Sequence, residues 1–185
     1  MPVIRRPNRD PLPETHFLTF SCVGRARLLA DPRARDIVVE QFRRDARTRE
    51  IALHAWVVMS NHVHVLATEA ELPVRQWCAR AKQRMAFAIR RLAPCVEPAA
   101  VHGAFWLRGG GFDRHIWSWQ EFKEKRRYIH ENPVSAGLCD RPSAWPWSSA
   151  AAPVATDALT PAPPPVGLVD LGWWVPVHAR HEDDF

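Results

Sequence analysis

Tyrosine is almost missing from this chain. Its 185 residues hold one, Tyr128, beside nine tryptophans and eight phenylalanines, so chemistry that needs a phenol has a single possible address. Long apolar runs are absent too. Stretches such as Ala55–Met59 and Val63–Ala67 fall far short of the ~20 residues a membrane-spanning helix needs. The N-terminus, MPVIRRPNRD, has arginines with no apolar stretch behind them, so no secretory signal is expected. The four cysteines, Cys22, Cys78, Cys95 and Cys139, lie too far apart for a CxxC pair. That excludes the common zinc-ribbon and thioredoxin patterns and fits reduced thiols in a cytoplasmic protein. Lysine is scarce: 22 of the 25 basic residues are arginine.

What is present describes a globular chain. Apolar residues make up 46% and charged residues 24%, and the length allows one domain plus an extension. The net charge of +5 is unevenly spread. Residues 1–141 hold 24 Lys+Arg against 15 Asp+Glu, a balance of +9, whereas residues 142–185 hold Arg180 against five acidic residues, a balance of −4. An arginine-rich, positive body attracts polyanions, which makes nucleic acid the first partner to consider. An arginine bias in the genome would leave the same trace.

Periodicity organises the chain. His16–Val23 alternates as a strand, and Asp31-Pro32 caps a helix that runs to about Arg49. Ile51–Met59 and His62–Thr68 read as paired strands across Ser60-Asn61. Pro73 opens a second helix whose apolar face holds Val74, Trp77, Cys78, Ala81, Met85, Ala88, Ile89 and Leu92. Phe105–Leu107 and Phe112–Trp117 read as short strands around a glycine turn. Trp119–Glu131 is a third helix, expected to end before Pro133. This order predicts an α+β domain, with helices packed on a mainly antiparallel sheet. From residue 142 to 165 the chain holds seven prolines and reads as an extended linker. The apolar segment Val166–Val177, with Trp173 and Trp174, then follows and is expected to dock back onto the body.

Two clusters could carry chemistry. In Asn61-His62-Val63-His64-Val65, residues two apart on a strand face one side, so His62 and His64 project together and can converge on one metal ion. A bare HxH is more commonly the polar face of a half-buried strand, but this one follows a tight turn where a ligand can reach it. In Tyr128-Ile129-His130-Glu131-Asn132, residues four apart on a helix share a face, so Tyr128 and Asn132 lie together. A phenol with a pKa near 10 is a poor nucleophile alone. Beside a divalent ion it becomes a plausible one for phosphoryl transfer. The alternative is a tyrosine anchored at the surface and an asparagine that merely ends the helix.

The blocks AWVVMSNHVHVL and YIHENPVSAGL…RPSAWPWSS resemble the two signature segments of the single-tyrosine HUH transposases, the insertion-sequence-two-hundred-like group. Within that group the chain is most similar to the REP-associated tyrosine transposases, and HFLTF and GGFDRHIW resemble further family segments. Four landmarks stand in order over about residues 16–150, leaving residues 151–185 as a tail. The resemblance implies a ferredoxin-like sheet. It also implies Mg²⁺ or Mn²⁺ held by His62 and His64 with Asn132 as third ligand, and Tyr128 as the nucleophile that cleaves single-stranded DNA with hairpin structure. A 5′-phosphotyrosine link and a free 3′-OH would result, and a second 3′-OH could rejoin strands without ATP.

The sequence departs from the family pattern in places. Ser60 stands where proline is usual, Trp117 where arginine often follows, and Asn132 where simpler relatives carry glutamine, which implies a loosely bound metal. Arg80, Lys82 and Arg84 on the second helix, with Arg126 and Arg127 beside the tyrosine, are the candidate phosphate contacts. By the resemblance a monomer is expected, the simpler relatives being dimers. Two other readings use parts of the same pattern: a plasmid-type replication or relaxation nickase, and a non-catalytic nucleic-acid binder.

Overall fold

The computed structural model describes residues 14–92, 103–109 and 111–151. Its elements are β1 (Thr15–Ser21), α1 (Pro32–Arg47), β2 (Ile51–Val58), β3 (His62–Glu69), α2 (Val74–Arg90), β4 (Phe112–His115) and α3 (Trp119–Ser135). The four strands form one antiparallel sheet in the order β2-β3-β1-β4. Strand–helix–strand, strand–helix–strand with this order is the ferredoxin-like arrangement, and α3 is added to it. The α+β expectation therefore holds.

Each face of the sheet has its own core. Leu18, Phe20, Trp56, Val58, Val63 and Val65 pack with Val38 and Phe42 of α1 and Trp77, Ala81 and Met85 of α2. Phe17, Ala55, Val57 and Leu66 pack on the other face with Phe122 and Ile129 of α3. Burying a side chain of that size contributes about 1.5–3 kcal/mol, so α3 is held mainly by these two anchors. A bulge between Leu53 and Ala55 inserts His54 as an extra residue in β2. It switches the parity of the strand, so that Leu53 and Trp56 both meet the α1/α2 core.

Local chemistry sets the helix ends. The Asp31 carboxylate accepts from the Arg33 N–H at 2.8 Å with Pro32 in the first turn, as expected. Ser118 caps α3 by accepting from the Glu121 N–H at 3.1 Å. The far end of α3 corrects the expectation that it stops before Pro133, because the helix runs on to Ser135 with Pro133 buried inside it. Proline so near the end removes only one donor from the last turn. Gly137 makes the actual stop, with φ 68°: its N–H donates to the Val134 carbonyl while the Leu138 N–H donates to that of Pro133, a Schellman motif.

Two further expectations change. Phe105–Leu107 is no strand; Trp106 makes one isolated bridge to Cys22 beyond the end of β1, and β4 stops at His115. Gly111 ahead of β4 cannot carry a side chain, because a Cβ there would lie 2.1 Å from the Thr19 carbonyl oxygen. Nor are residues 142–151 linker. Trp147 and Ser148 run along the free edge of β2, the Val58 N–H donating to the Trp147 carbonyl at 2.8 Å. The Arg35 guanidinium lies over Trp147 and Trp145, 3.8 and 5.3 Å from their ring centres, and the two rings meet edge-on. The aromatic content of this segment outweighs its prolines and covers a sheet edge that would otherwise be open. The expected docking segment Val166–Val177 lies outside the described residues.

Candidate active site

Helix α3 lays one face over β2 and β3, with Phe17 of β1 reaching its Tyr128 ring. His62 and His64 sit opposite Ser21 and Thr19 of β1 and point to the α3 side, while Val63 and Val65 enter the opposite core. His64 Nε2 lies 3.1 Å from His62 Nε2 and 3.4 Å from the Asn132 side-chain amide. The Tyr128 ring is edge-on to His64, with centroids 5.3 Å apart. Phe17 stacks under His64 at 5.6 Å and meets Tyr128 edge-on at 5.8 Å, so one buried ring sets the spacing of both.

The outer nitrogens orient the two imidazoles. Asn61 Nδ2 donates to the Arg25 carbonyl at 3.3 Å, which turns its Oδ1 toward His62 Nδ1 at 2.6 Å. A carbonyl oxygen only accepts, so neutral His62 carries its proton on Nδ1 and offers a lone pair at Nε2. His64 Nδ1 meets the Thr19 hydroxyl at 2.7 Å. That hydroxyl can donate or accept, so it serves either His64 tautomer. Burial holds the His64 pKa well below the ordinary histidine value, helped by the charges of His62 and Lys125. His64 is therefore neutral near pH 7, as a ligand must be. Two imidazole lone pairs converging beside an amide that can turn its Oδ1 inward fit a divalent cation.

Of the residues singled out in the sequence, His62, His64, Tyr128 and Asn132 come together here. The expected basic contacts do not all join them. Arg126 and Arg127 are exposed on α3, and the charge of Arg126 helps depress the pKa of His54 and His130. Arg80 is exposed on α2, across the sheet from the histidine pair. Lys82 donates to the Leu107 and Gly109 carbonyls at 3.3 and 3.1 Å. Arg84 is committed inside the fold: it donates to Glu50 at 3.1 Å and to the fully buried Asp45 at 3.3 Å. Burial raises the Asp45 pKa, while hydrogen bonds from Trp77 and Gln41 oppose the shift.

Sequence reasoning missed three contributors: Thr19, Asn61 and Lys125. The Lys125 Nζ stands 4.6 Å from the Phe17 ring centre and 5.5 Å from that of Tyr128. Its signal was its place three residues before the tyrosine, on the same helix face. Also missed were Glu14, His16 and His115, which bring one ligand atom each to within 4.8 Å of one another. Among the described residues, no helix is long and apolar enough to cross a membrane.

No curated protein matches the chain by sequence. Among solved structures, it is similar to a REP-associated tyrosine transposase bound to a REP hairpin, at 22% identity over 80% of this chain and 82% of that one, with a TM-score of 0.59. It also aligns with a chain from Deinococcus radiodurans R1 described as a transposase, at 19% identity over 70% of this chain and 97% of that one, with a TM-score of 0.46. The sequence profile of the IS200-like transposases matches residues 14–132, a span that contains the histidine pair, Tyr128 and Asn132, and by that match the chain belongs to the IS200-like transposase family.

Proposed function

We propose that this chain cleaves and transfers single-stranded DNA through a covalent bond to Tyr128. The observation that carries the reading is the convergence of Tyr128, His62, His64 and Asn132 on one face of the sheet. The phenolic oxygen attacks the scissile phosphorus, the bond from phosphorus to the 3′ oxygen breaks, and a 5′-phosphotyrosine forms. The phenol loses one proton and the leaving 3′ oxygen gains one. Because the phosphodiester energy is kept in the tyrosine link, a second 3′-OH can reverse the step onto a new strand.

His62 and His64 through Nε2, with Asn132 through Oδ1, would hold Mg²⁺ or Mn²⁺. Such an ion, when bound, neutralises charge on the phosphate under attack. Phe17 and the helix register hold the phenol beside that position. Lys125 adds a positive charge next to the phenol. Arg126 and Arg127, with Arg80 and Lys82 further off, would contact phosphates along the strand. Single-strand affinity should then fall by about 0.7 log units per neutralised phosphate for each decade of salt.

The fold likeness to a protein bound to a REP hairpin supports a hairpin-flanked single strand as substrate. All four site residues belong to one chain, which supports a monomer as the working unit. Residues 1–150 would then form the catalytic unit, and residues 151–185 would act on target choice.

The test is a covalent protein–DNA adduct on a denaturing gel, with hairpin-flanked single strands and Mn²⁺. The native chain should form it, and chelator should abolish it. Tyr128→Phe should form none while keeping its DNA affinity within about twofold. An adduct with Tyr128→Phe, or full activity in chelator, would overturn the reading.

A further inference from the structure

A second group of ligating side chains lies on the other face of the sheet. His16 shares its side of β1 with Leu18 and Phe20, which pack under α1 and α2, and it pairs across the sheet with His115 at the end of β4. Glu14, just ahead of β1, places its Oε2 3.7 Å from His16 Nε2 and 3.4 Å from His115 Nδ1. A tetrahedral ion with bonds of about 2.0–2.1 Å separates its ligand atoms by about 3.3–3.4 Å. Both separations are already close to those of a bound set.

His16 makes the group more than a chance meeting of surface residues. It is only 4% exposed, and its Nε2 makes no hydrogen bond among the described residues. Its Nδ1 lies 2.7 Å from Asp113 Oδ1, and the other oxygen of Asp113 lies 3.8 Å from Arg75 Nε. A buried imidazole whose Nδ1–H is held by a carboxylate, and whose Nε2 is aimed at a second imidazole and a second carboxylate, is arranged as metal-binding histidines are. The two rings meet edge-on with centroids 4.2 Å apart, and His115 also stacks on Trp117.

We propose that Glu14, His16 and His115 bind a transition-metal ion of the Zn²⁺ class, with water in the fourth position. Two imidazole nitrogens and one carboxylate select such an ion over Mg²⁺ or Ca²⁺. The partial exposure of Glu14 and His115 gives the ion a way in. Its role is structural. Strand β4 has four residues, pairs among the described residues only with β1, and leads through Ile116, Trp117 and Ser118 into α3. An ion held by His115 and by both Glu14 and His16 ties the start of β1 to the end of β4, and so fixes where the tyrosine helix begins. This clip stands independently of the strand-transfer chemistry.

The experiment uses the full chain carrying His62→Ala and His64→Ala, which removes the other histidine pair. It is titrated with Co²⁺, followed by its visible absorption, and with Zn²⁺ by calorimetry. One equivalent of Co²⁺ should bind with the intense bands of a tetrahedral site, and Zn²⁺ should raise the melting temperature. Adding His115→Ala or Glu14→Gln, both at partly exposed side chains, should weaken binding at least tenfold. Asp113→Asn should weaken it by about 10–100-fold. Absence of tetrahedral bands in the parent overturns the site. So does binding that survives both His115→Ala and Glu14→Gln, which would place the ion on other histidines of the chain.

Discussion

The Thr19 hydroxyl lies 2.7 Å from His64 Nδ1, on the opposite side of the ring from the nitrogen that faces His62. As an acceptor it fixes the tautomer with a lone pair at Nε2, and as a donor it fixes the other. Thr19→Val keeps the branched shape that suits a strand and deletes this partner. The expected result is a rise of about 10–100-fold in the Mn²⁺ concentration needed for half-maximal adduct, with the rate at saturating metal nearly retained. A metal titration of the adduct assay reads this directly. An unchanged metal requirement would show that Thr19 does not orient His64.

Lys125 stands over Phe17 and beside the Tyr128 ring. In the proposed reaction its ammonium would meet the charge that builds on the phosphate during attack. Lys125→Gln should slow single-turnover adduct formation by about a hundredfold at saturating DNA and metal, with binding affinity changed far less. Lys125→Arg should restore much of the rate. Equal losses in rate and affinity would reduce Lys125 to one more strand contact.

Arg84 was expected at the DNA, yet its guanidinium joins Asp45 and Glu50. Arg84→Gln leaves the buried Asp45 carboxylate with fewer donors and should cost about 1–3 kcal/mol in urea unfolding. Single-strand affinity, measured at a temperature where both proteins are folded, should stay within twofold. Arg126→Gln should show the reverse pattern.

The contrast between these arginines marks how far the sequence could be read. The strands and helices were legible because burial leaves a period of 2 or 3.6, and the histidine pair because strand alternation forces His62 and His64 to one side. Helical spacing puts Tyr128 and Asn132 on one face, but only the resemblance to the single-tyrosine transposases marked them as site residues. What stayed hidden depends on neighbours distant in the chain. Nothing near Arg84 announces Asp45, 39 residues away, and nothing near His64 announces Thr19 in another strand. The bulge at His54 is likewise invisible, because it matters only through the switch of faces on either side. The stop of α3 was legible in principle. Gly137 is the residue type that ends helices, and Pro133, the stronger helix breaker by type, sits harmlessly in the last turn ahead of it.

His54 provides a pH test of that bulge. Its Nε2 lies 2.6 Å from the Thr68 hydroxyl and its ring meets Phe122 edge-on at 5.0 Å, under α3. Burial lowers its pKa from the ordinary 6.5 to about 4, with the charge of Arg126 adding to the shift. Above pH 6.5 neither the folded nor the unfolded chain carries the proton, and the full stability is present. As pH falls below 6.5 the unfolded chain takes up the proton first, so stability declines until about pH 4, where the folded chain is protonated as well. At about 1.36 kcal/mol per pKa unit, the full loss attributable to His54 is about 3 kcal/mol. Burial also depresses His130, which slopes in the same direction, so the native chain alone does not isolate the effect. His54→Gln does, because an amide can reach Thr68 but does not titrate. Urea unfolding at pH 7 and pH 4.5 should show a smaller loss in His54→Gln than in the native chain, by about 2 kcal/mol. Equal losses in the two proteins would mean that His54 is hydrated in the folded state and that α3 does not seal the bulge.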